Sequence, residues 1–164
     1  MGAFALMSAA TGTVHADTVY LAPDEYVRQS FSTTPPPAFL WLNADTQKTV
    51  SAILGHPYPA ARLRYWRSAT RTLWILEEIG KEAPITAGFV IEGTRIADAR
   101  VLVYRESRGA EVRLPAFLRQ FFGGGLNDAN HLDVEIDGIT GATLSVRAMQ
   151  RMAEAALALN RIAK

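Results

Sequence analysis

The sequence has 164 residues, a mass of 17.9 kDa, no cysteine and a net charge of +1 at pH 7. A chain of this length is expected to form one domain with its own core, and the lack of cysteine excludes disulfide scaffolds, thiolate metal sites and thiol catalysis. Because the charge is nearly balanced, the basic excess typical of non-specific nucleic-acid binding is missing, and we expect no nucleic-acid partner.

The first sixteen residues form a weakly apolar run without a charged side chain, and the run ends at Ala16. An apolar stretch followed by a small residue is typical of a signal peptide, although the usual positive start is missing, as in a truncated leader. We therefore expect a signal peptide over 1–16 and a single domain over 17–164 in the periplasm or another extracytoplasmic compartment. The alternative is a frayed arm of a cytosolic protein. No later apolar stretch is long enough to predict a transmembrane segment.

The next part of the chain predicts two helices. Pro23 favours the start of a short helix over 23–31, and three consecutive prolines at 35–37 cannot continue it. Asn43 or Asp45 is a suitable N-cap for a second helix that ends near Leu54. We expect this part to be a helical and loop-like lid or support layer.

The central part of the chain predicts an antiparallel sheet. Its residues are rich in aromatic and β-branched types, and turn residues separate four predicted strands, at 62–67, 70–79, 85–92 and 95–105. Glu92-Gly93-Thr94 is short enough to be a hairpin turn. In the last strand, Ala97, Val101 and Val103 alternate with Asp98, Arg100 and Tyr104, which predicts that one face of the sheet is buried.

The C-terminal part predicts a short helix over 115–122, a half-exposed strand over 132–137 and an amphipathic helix over 143–162. In the last segment, apolar side chains recur every three or four residues. Together with the predicted strands, these elements indicate an α+β fold in which helices flank an antiparallel sheet. No set of His, Asp and Glu residues has the spacing of a known metal site, so none is assigned.

The segment from Asp137 to Ser145 leads into this last helix and reads Asp-Gly-Ile-Thr-Gly-Ala-Thr-Leu-Ser. Free amides and the helix dipole favour an anion such as phosphate at a helix N-terminus. Gly141 and Ala142 leave room for one. The alternative is purely structural, with Thr140 or Thr143 capping the helix and Gly141 making a turn.

This segment resembles the motif of the FMN-binding domains found in NqrC and RnfG subunits of redox complexes and in exported flavoproteins. The family pattern is Asp, two or three residues, Ser or Thr, then Gly-Ala-Thr, an apolar residue and a hydroxyl residue. The matching positions here are Asp137, Thr140, Gly141, Ala142, Thr143, Leu144 and Ser145. The resemblance implies that a flavin transferase, using FAD as donor, esterifies the hydroxyl of Thr143 to the phosphate of FMN.

The resemblance extends upstream, over about 83–158. A strand pair followed by Glu-x-x-Gly is also a family feature, and here the four residues are Glu106-Ser107-Arg108-Gly109. By resemblance, Glu106 and Gly109 belong to the flavin site, whereas Ser107-Arg108 replaces the commoner Thr-Pro. The alternative for Glu106 is a solvated carboxylate in a turn.

The resemblance implies an exported electron carrier with FMN linked to Thr143, which passes electrons between redox partners that include membrane-bound ones. It is more a carrier and a substrate of the transferase than a stand-alone enzyme. Two other hypotheses stay open. One is a module on the same fold that holds flavin without a covalent bond or serves as a sensor, and the other is a flavin-dependent reductase.

Overall fold

The computed structural model describes residues 16–164, and its centre is a six-stranded antiparallel sheet with the strand order β1-β6-β5-β4-β3-β2. The strands are β1 (Thr18–Val19), β2 (Pro37–Trp41), β3 (Arg62–Ser68), β4 (Arg71–Ile79), β5 (Pro84–Glu92) and β6 (Arg95–Tyr104). The four central strands were all predicted from the sequence. Gly93 and Thr94 alone connect the paired residues Glu92 and Arg95, which confirms the predicted hairpin.

Four α-helices surround the sheet: α1 (Pro23–Ser30), α2 (Ala44–Leu54), α3 (Pro115–Leu118) and α4 (Thr143–Ile162). A 3-10 turn over Ala110–Arg113 precedes α3, and another over Arg119–Phe121 follows it. The predicted helices are all present, and the α+β class is confirmed. Asn43 is the N-cap of α2, and its side chain accepts a hydrogen bond from the Thr46 backbone N–H at 2.9 Å.

Helix α1 covers one face of the sheet. Tyr26 of α1 packs so closely on Gly88 of β5 that a Cβ atom at Gly88 would lie 2.3 Å from the ring. The Tyr26 hydroxyl donates a hydrogen bond to Asp98 at 3.0 Å. The rest of this core consists of Val27, Phe31, Trp66, Leu73, Val90, Leu102 and Val103. Helix α1 is therefore part of the hydrophobic core.

Helices α2 and α4 cover the opposite face, where the larger core lies. Val50 and Leu54 of α2 and Met149 and Met152 of α4 are buried there, where α4 packs on β4 and β5 and α2 packs on α4. The buried carboxylate of Glu78 in β4 joins both helices to the sheet. It accepts a hydrogen bond from His56, which follows α2, at 2.9 Å, and it pairs with Arg151 of α4 at 3.3 Å.

The expectation that only one sheet face is buried was wrong, because helices cover both. β5 accordingly shows no alternation, and its residues from Ile85 to Ile91 are all buried. The predicted alternation in β6 fails at Ala97, which is exposed, and at Tyr104, which is buried. The pairing with β5 shifts register twice, between Val90 and Ile91 near Ala97 and between Thr86 and Ala87 near Tyr104, and each irregularity reverses the inward and outward pattern.

Two segments differ from their predicted structure. The region between the first two helices also contains β2, which pairs with β3 directly after the prolines. The strand predicted over 132–137 does not form, although its side chains alternate between partly buried and exposed. Only Leu132 makes a β-bridge there, with Leu126. Alternation of apolar and polar side chains indicates only that a segment is extended. A β-strand also requires a neighbouring strand that provides backbone hydrogen bonds.

The predicted signal peptide lies outside the described residues except for Ala16. Among the helices of residues 16–164, none combines the length and the apolar character needed to cross a bilayer.

Candidate functional site

The start of α4 is open to solvent and has no side-chain cap. Its N-cap is Ala142, and Thr143 is the first helical residue, which rules out the purely structural alternative in which a threonine caps this helix. Thr143 is exposed, and its hydroxyl makes no hydrogen bond within residues 16–164. Gly141 has φ +82°, so it makes the left-handed turn that places Thr143 at the surface.

The first backbone amides of α4 point out of the helix without an acceptor. The first intrahelical bond is donated by the N–H of Val146 to the carbonyl of Ala142 at 2.9 Å, so the preceding amides from Thr143 to Ser145 are not used by the helix. No acidic residue lies in the first turn. The partial positive charge of the helix end is therefore not compensated by its own side chains, which favours an anion there.

A groove of about 600 Å³ lies directly in front of this helix end. Its walls come from three segments: the turn after β4, the turn after β6 and the start of α4. The lining residues are Lys81, Glu106, Ser107, Arg108, Gly141, Ala142, Thr143, Leu144 and Ser145. A volume of this size is within the range of sites for small molecules and cofactors. A second depression of about 390 Å³ adjoins it beside Thr140 and Gly109.

Glu106 holds the wall formed by the turn after β4. One oxygen of its carboxylate accepts hydrogen bonds from the backbone N–H groups of Lys81, Glu82 at 2.8 Å and Ala83 at 3.1 Å. Gly80 is necessary for this close approach, because a Cβ atom there would lie 2.7 Å from the same oxygen. Glu106 is therefore a positioning residue for the groove, and the alternative of a merely solvated carboxylate does not hold.

The wall formed by the turn after β6 is fixed to α4 by buried hydroxyl groups. The Tyr104 hydroxyl donates to the carbonyl of Arg108 and lies 2.9 Å from the hydroxyl of Ser145. Burial raises the pKa of Tyr104, so its proton is retained at neutral pH. Since the carbonyl can only accept, Ser145 is the donor to Tyr104. Gly109 lies against this contact with φ +86°, and a Cβ atom there would lie 2.7 Å from the Ser145 oxygen.

The structure brings together most of the site residues predicted from the sequence. Six of the nine line the groove: Glu106, Gly141, Ala142, Thr143, Leu144 and Ser145. Thr140 and Gly109 line the adjoining depression, and Asp137 lines neither. The backbone N–H of Asp137 donates to the side chain of Gln120 at 2.7 Å, and the Asp137 carboxylate is exposed. The side chain of Ser145 is committed to Tyr104, so only its backbone faces a ligand.

Sequence reasoning missed two cationic residues of the groove, Lys81 and Arg108. Arg108 was noted only as a departure from the family pattern, and Lys81 lies in a hairpin turn that carries no motif. Arg108 could have been found from the sequence, because it lies two residues after Glu106. Lys81 is brought next to Glu106 only by the fold. Both residues add positive charge to the site that already contains the free helix amides.

Two other features contribute nothing to the groove. Among the aromatic residues, Trp66, Phe117 and Phe121 are buried in the core and do not line the groove. Tyr65 stacks on Trp74 with ring centroids 4.5 Å apart. Within residues 16–164, no group of three or more His, Asp or Glu side chains is arranged to hold a metal ion.

Comparison with known proteins finds a matching family and similar solved structures. Residues 80–158 match the family model described as FMN-binding domain. The fold is similar to the crystal structure of Shewanella oneidensis NqrC, with a TM-score of 0.50 and 16% sequence identity over 82% of this chain and 69% of that one. No curated protein matches the sequence.

The family match covers all three segments that form the groove. It confirms the resemblance over 83–158, and FMN, the cofactor predicted from the sequence, is the cofactor of the matched family. The similarity to NqrC supports the α+β fold.

Proposed function

We propose, from the membership of residues 80–158 in the FMN-binding domain family, that this protein is an exported electron carrier whose FMN is esterified to Thr143. The observation that carries this proposal is the environment of the Thr143 hydroxyl. Within residues 16–164 this hydroxyl has no hydrogen-bond partner, and it lies beside free backbone amides at the rim of a cofactor-sized groove.

The residues of the groove fit an FMN group. A phosphate esterified to Thr143 would be held by the amides of α4, whose helix dipole stabilises negative charge by about 0.3–1 kcal/mol for one charge at an exposed helix end. Lys81 and Arg108 add two cations to the same groove. Gly141 and Ala142 keep the approach to the hydroxyl free of bulky side chains. The phosphate end of the cofactor is therefore matched by charge, hydrogen-bond donors and space.

FMN supplies the redox chemistry when it is bound, and the chain supplies position and environment. Glu106 and Tyr104 fix the two turns that face α4, so the groove keeps its shape through hydrogen bonds within the protein.

The proposal includes export and loading by a flavin transferase, in which the Thr143 hydroxyl loses its proton and attacks the FMN phosphorus of FAD, the pyrophosphate bond breaks and AMP leaves. A covalent bond is useful outside the cytoplasm, because a cofactor that dissociates there is diluted and lost by mass action. The apolar, uncharged residues 1–16 support export. The fold is similar to that of NqrC, and by analogy we propose that the redox partners here include membrane-bound proteins.

The attachment is tested by intact mass spectrometry of protein exported from a host that expresses a flavin transferase. The wild type is expected to gain the mass of FMN less water, Thr143→Ser to retain that gain and Thr143→Ala to lose it. Thr140→Ala is the matched control, because it removes a neighbouring hydroxyl and leaves the acceptor in place. Another family member that becomes flavinylated in the same host shows that the transferase is active.

Two results distinguish the proposal from the other hypotheses. Flavin that is released from the wild type on denaturation indicates a module with reversible binding. Turnover of a specific small substrate by the loaded protein, above the rate with general electron acceptors, indicates a reductase. An unmodified wild type beside a flavinylated control protein contradicts the covalent carrier.

A further inference from the structure

An aromatic and basic surface lies on the face of the sheet that α1 covers only in part. Phe39 and Trp41 of β2 and Ile79 of β4 are exposed there by 47%, 64% and 54%. Arg62 and Arg64 of β3 are the register partners of Trp41 and Phe39. We call these five residues the β2–β3 face. Isolated exposed apolar residues need no explanation, whereas a contiguous group of large ones is typical of an interaction site.

The two arginines of the β2–β3 face are stacked on aromatic rings of β2 and β3. The guanidinium carbon of Arg62 lies 4.5 Å from the ring centre of Phe39 and 5.6 Å from that of Trp41. Arg64 lies 4.9 Å from the ring centre of Trp66. Stacking holds the two side chains in place, so less conformational entropy is lost when they bind a partner.

The positive charge of this surface is not neutralised by the protein itself. Neither Arg62 nor Arg64 forms an ion pair within residues 16–164, and residues 1–15 contain no acidic side chain. Arg can bind a carboxylate through two parallel hydrogen bonds, and Trp and Arg are common in the centres of protein interfaces. The surface is therefore complementary to an acidic partner with an apolar centre.

The β2–β3 face lies at the same end of the sheet as the groove. Because the strands are antiparallel, the end of β2 at Trp41, the start of β3 at Arg62 and the end of β4 at Ile79 are all at that end. The turn that follows Ile79 carries Lys81, which lines the groove. The face and the groove thus share one end of the sheet, with the face on the α1 side and α4 on the opposite side, so a bound protein would approach the cofactor site around that end.

We propose that the β2–β3 face docks an acidic redox protein, an inference that rests on the proposed carrier function. Complexes between electron carriers are small and transient, and charge complementarity speeds their formation. A protein partner fits better than a bilayer. The Arg62 guanidinium lies over the Phe39 and Trp41 rings, so insertion of these rings among acyl chains would bury its charge.

The test measures binding of the FMN-loaded protein to two acidic carriers, a plant-type ferredoxin and a flavodoxin, by fluorescence anisotropy at low and high salt. We expect binding that salt weakens and that Arg62→Glu/Arg64→Glu weakens at least about tenfold. Phe39→Ala/Trp41→Ala should also weaken it without a change in charge. Lys48→Glu/Arg119→Glu is the matched control, because it makes the same charge change on other elements and should retain most of the affinity.

Three results would overturn docking at this face. The first is that neither carrier binds, and the second is that the control variant loses as much affinity as Arg62→Glu/Arg64→Glu. The third is that the protein binds vesicles of phosphatidylcholine and phosphatidylglycerol and does not bind the carriers. Intact mass and flavin absorbance of the same samples separate this inference from the proposed function. Loaded protein that does not bind carriers contradicts docking alone, whereas unloaded protein that binds them contradicts the covalent carrier and leaves docking supported.

Discussion

Helices α2 and α4 pack on the same face of the sheet, yet they begin in opposite ways. Helix α2 is capped by Asn43, whose side chain accepts the hydrogen bond of a free backbone N–H. Helix α4 begins at Thr143 after an alanine that provides no such bond. A side-chain cap contributes about 1 kcal/mol, so an uncapped start is costly unless something else occupies it. The difference is consistent with the proposal that the first amides of α4 bind the FMN phosphate.

The two helices share their anchor to the sheet, and Glu78→Ala would break it for both. This change leaves Arg151 half-buried without its carboxylate and removes the partner of His56. We expect the free energy of unfolding to fall by roughly 2 kcal/mol, less than for a fully buried pair, because the charges left behind on Arg151 and His56 are 37% and 44% exposed and are screened by water. Urea unfolding checks this value, and Glu82→Ala, an exposed acid in a turn, is the control. A loss below about 0.5 kcal/mol would show that the buried pairs do not join the helices.

The wall opposite the open end of α4 depends on Glu106. Glu106→Ala removes the acceptor of the backbone amides of Glu82 and Ala83 and loosens the turn that carries Lys81. We expect a loss of roughly 1–2 kcal/mol in unfolding free energy together with slower flavin loading. Glu106→Gln retains an acceptor oxygen and should lose less of both. Normal stability and loading in the alanine variant would contradict the positioning role.

The capped end of α2 provides the reverse test. Asn43→Ala removes the side chain that accepts from Thr46, and we expect a loss of about 1 kcal/mol in unfolding free energy with no change in flavin loading. Ala142→Asp at the open end should instead reduce loading, since its carboxylate competes for the same amides. Equal loading in both variants would argue against a special role of the α4 amides. Thermal unfolding and flavin absorbance measure the two effects.

The smallest effect concerns pH at the C-terminal end of α2. Hydrogen bonds to the Pro57 carbonyl and to the Glu78 carboxylate raise the pKa of His56. Because the pKa is raised in the folded state, the protonated ring stabilises the fold fully at pH values below the pKa of the unfolded state, about 6.5. This stabilisation is lost as the pH rises through the pKa of the folded state. Because His56 is partly exposed, we expect a few tenths of a kcal/mol. The stability difference between wild type and His56→Gln should shrink from pH 5.5 to pH 8, and a constant difference would contradict this.

Much of the fold could be predicted from the sequence because local patterns carry it. The caps and apolar spacing indicated α2 and α4, and the hairpin turns indicated β4 to β6. Patterns could not show that both sheet faces are covered or that the segment 132–137 has no neighbouring strand, since both depend on contacts between distant residues. The motif predicted Thr143 as the attachment residue, and the structure places Thr143 at the start of α4 in the groove lining. The anchoring of Glu106 on three backbone amides became visible only when the two turns were placed side by side.

The site of attachment can be located directly by tandem mass spectrometry of the tryptic peptide 120–147 from protein loaded by a flavin transferase. We predict one phosphoester-linked flavin in this peptide, with fragment ions that place it on Thr143. Flavin on Thr140 or Ser145, or an unmodified peptide in a host that loads another family member, would contradict the central claim that α4 begins with an acceptor for FMN.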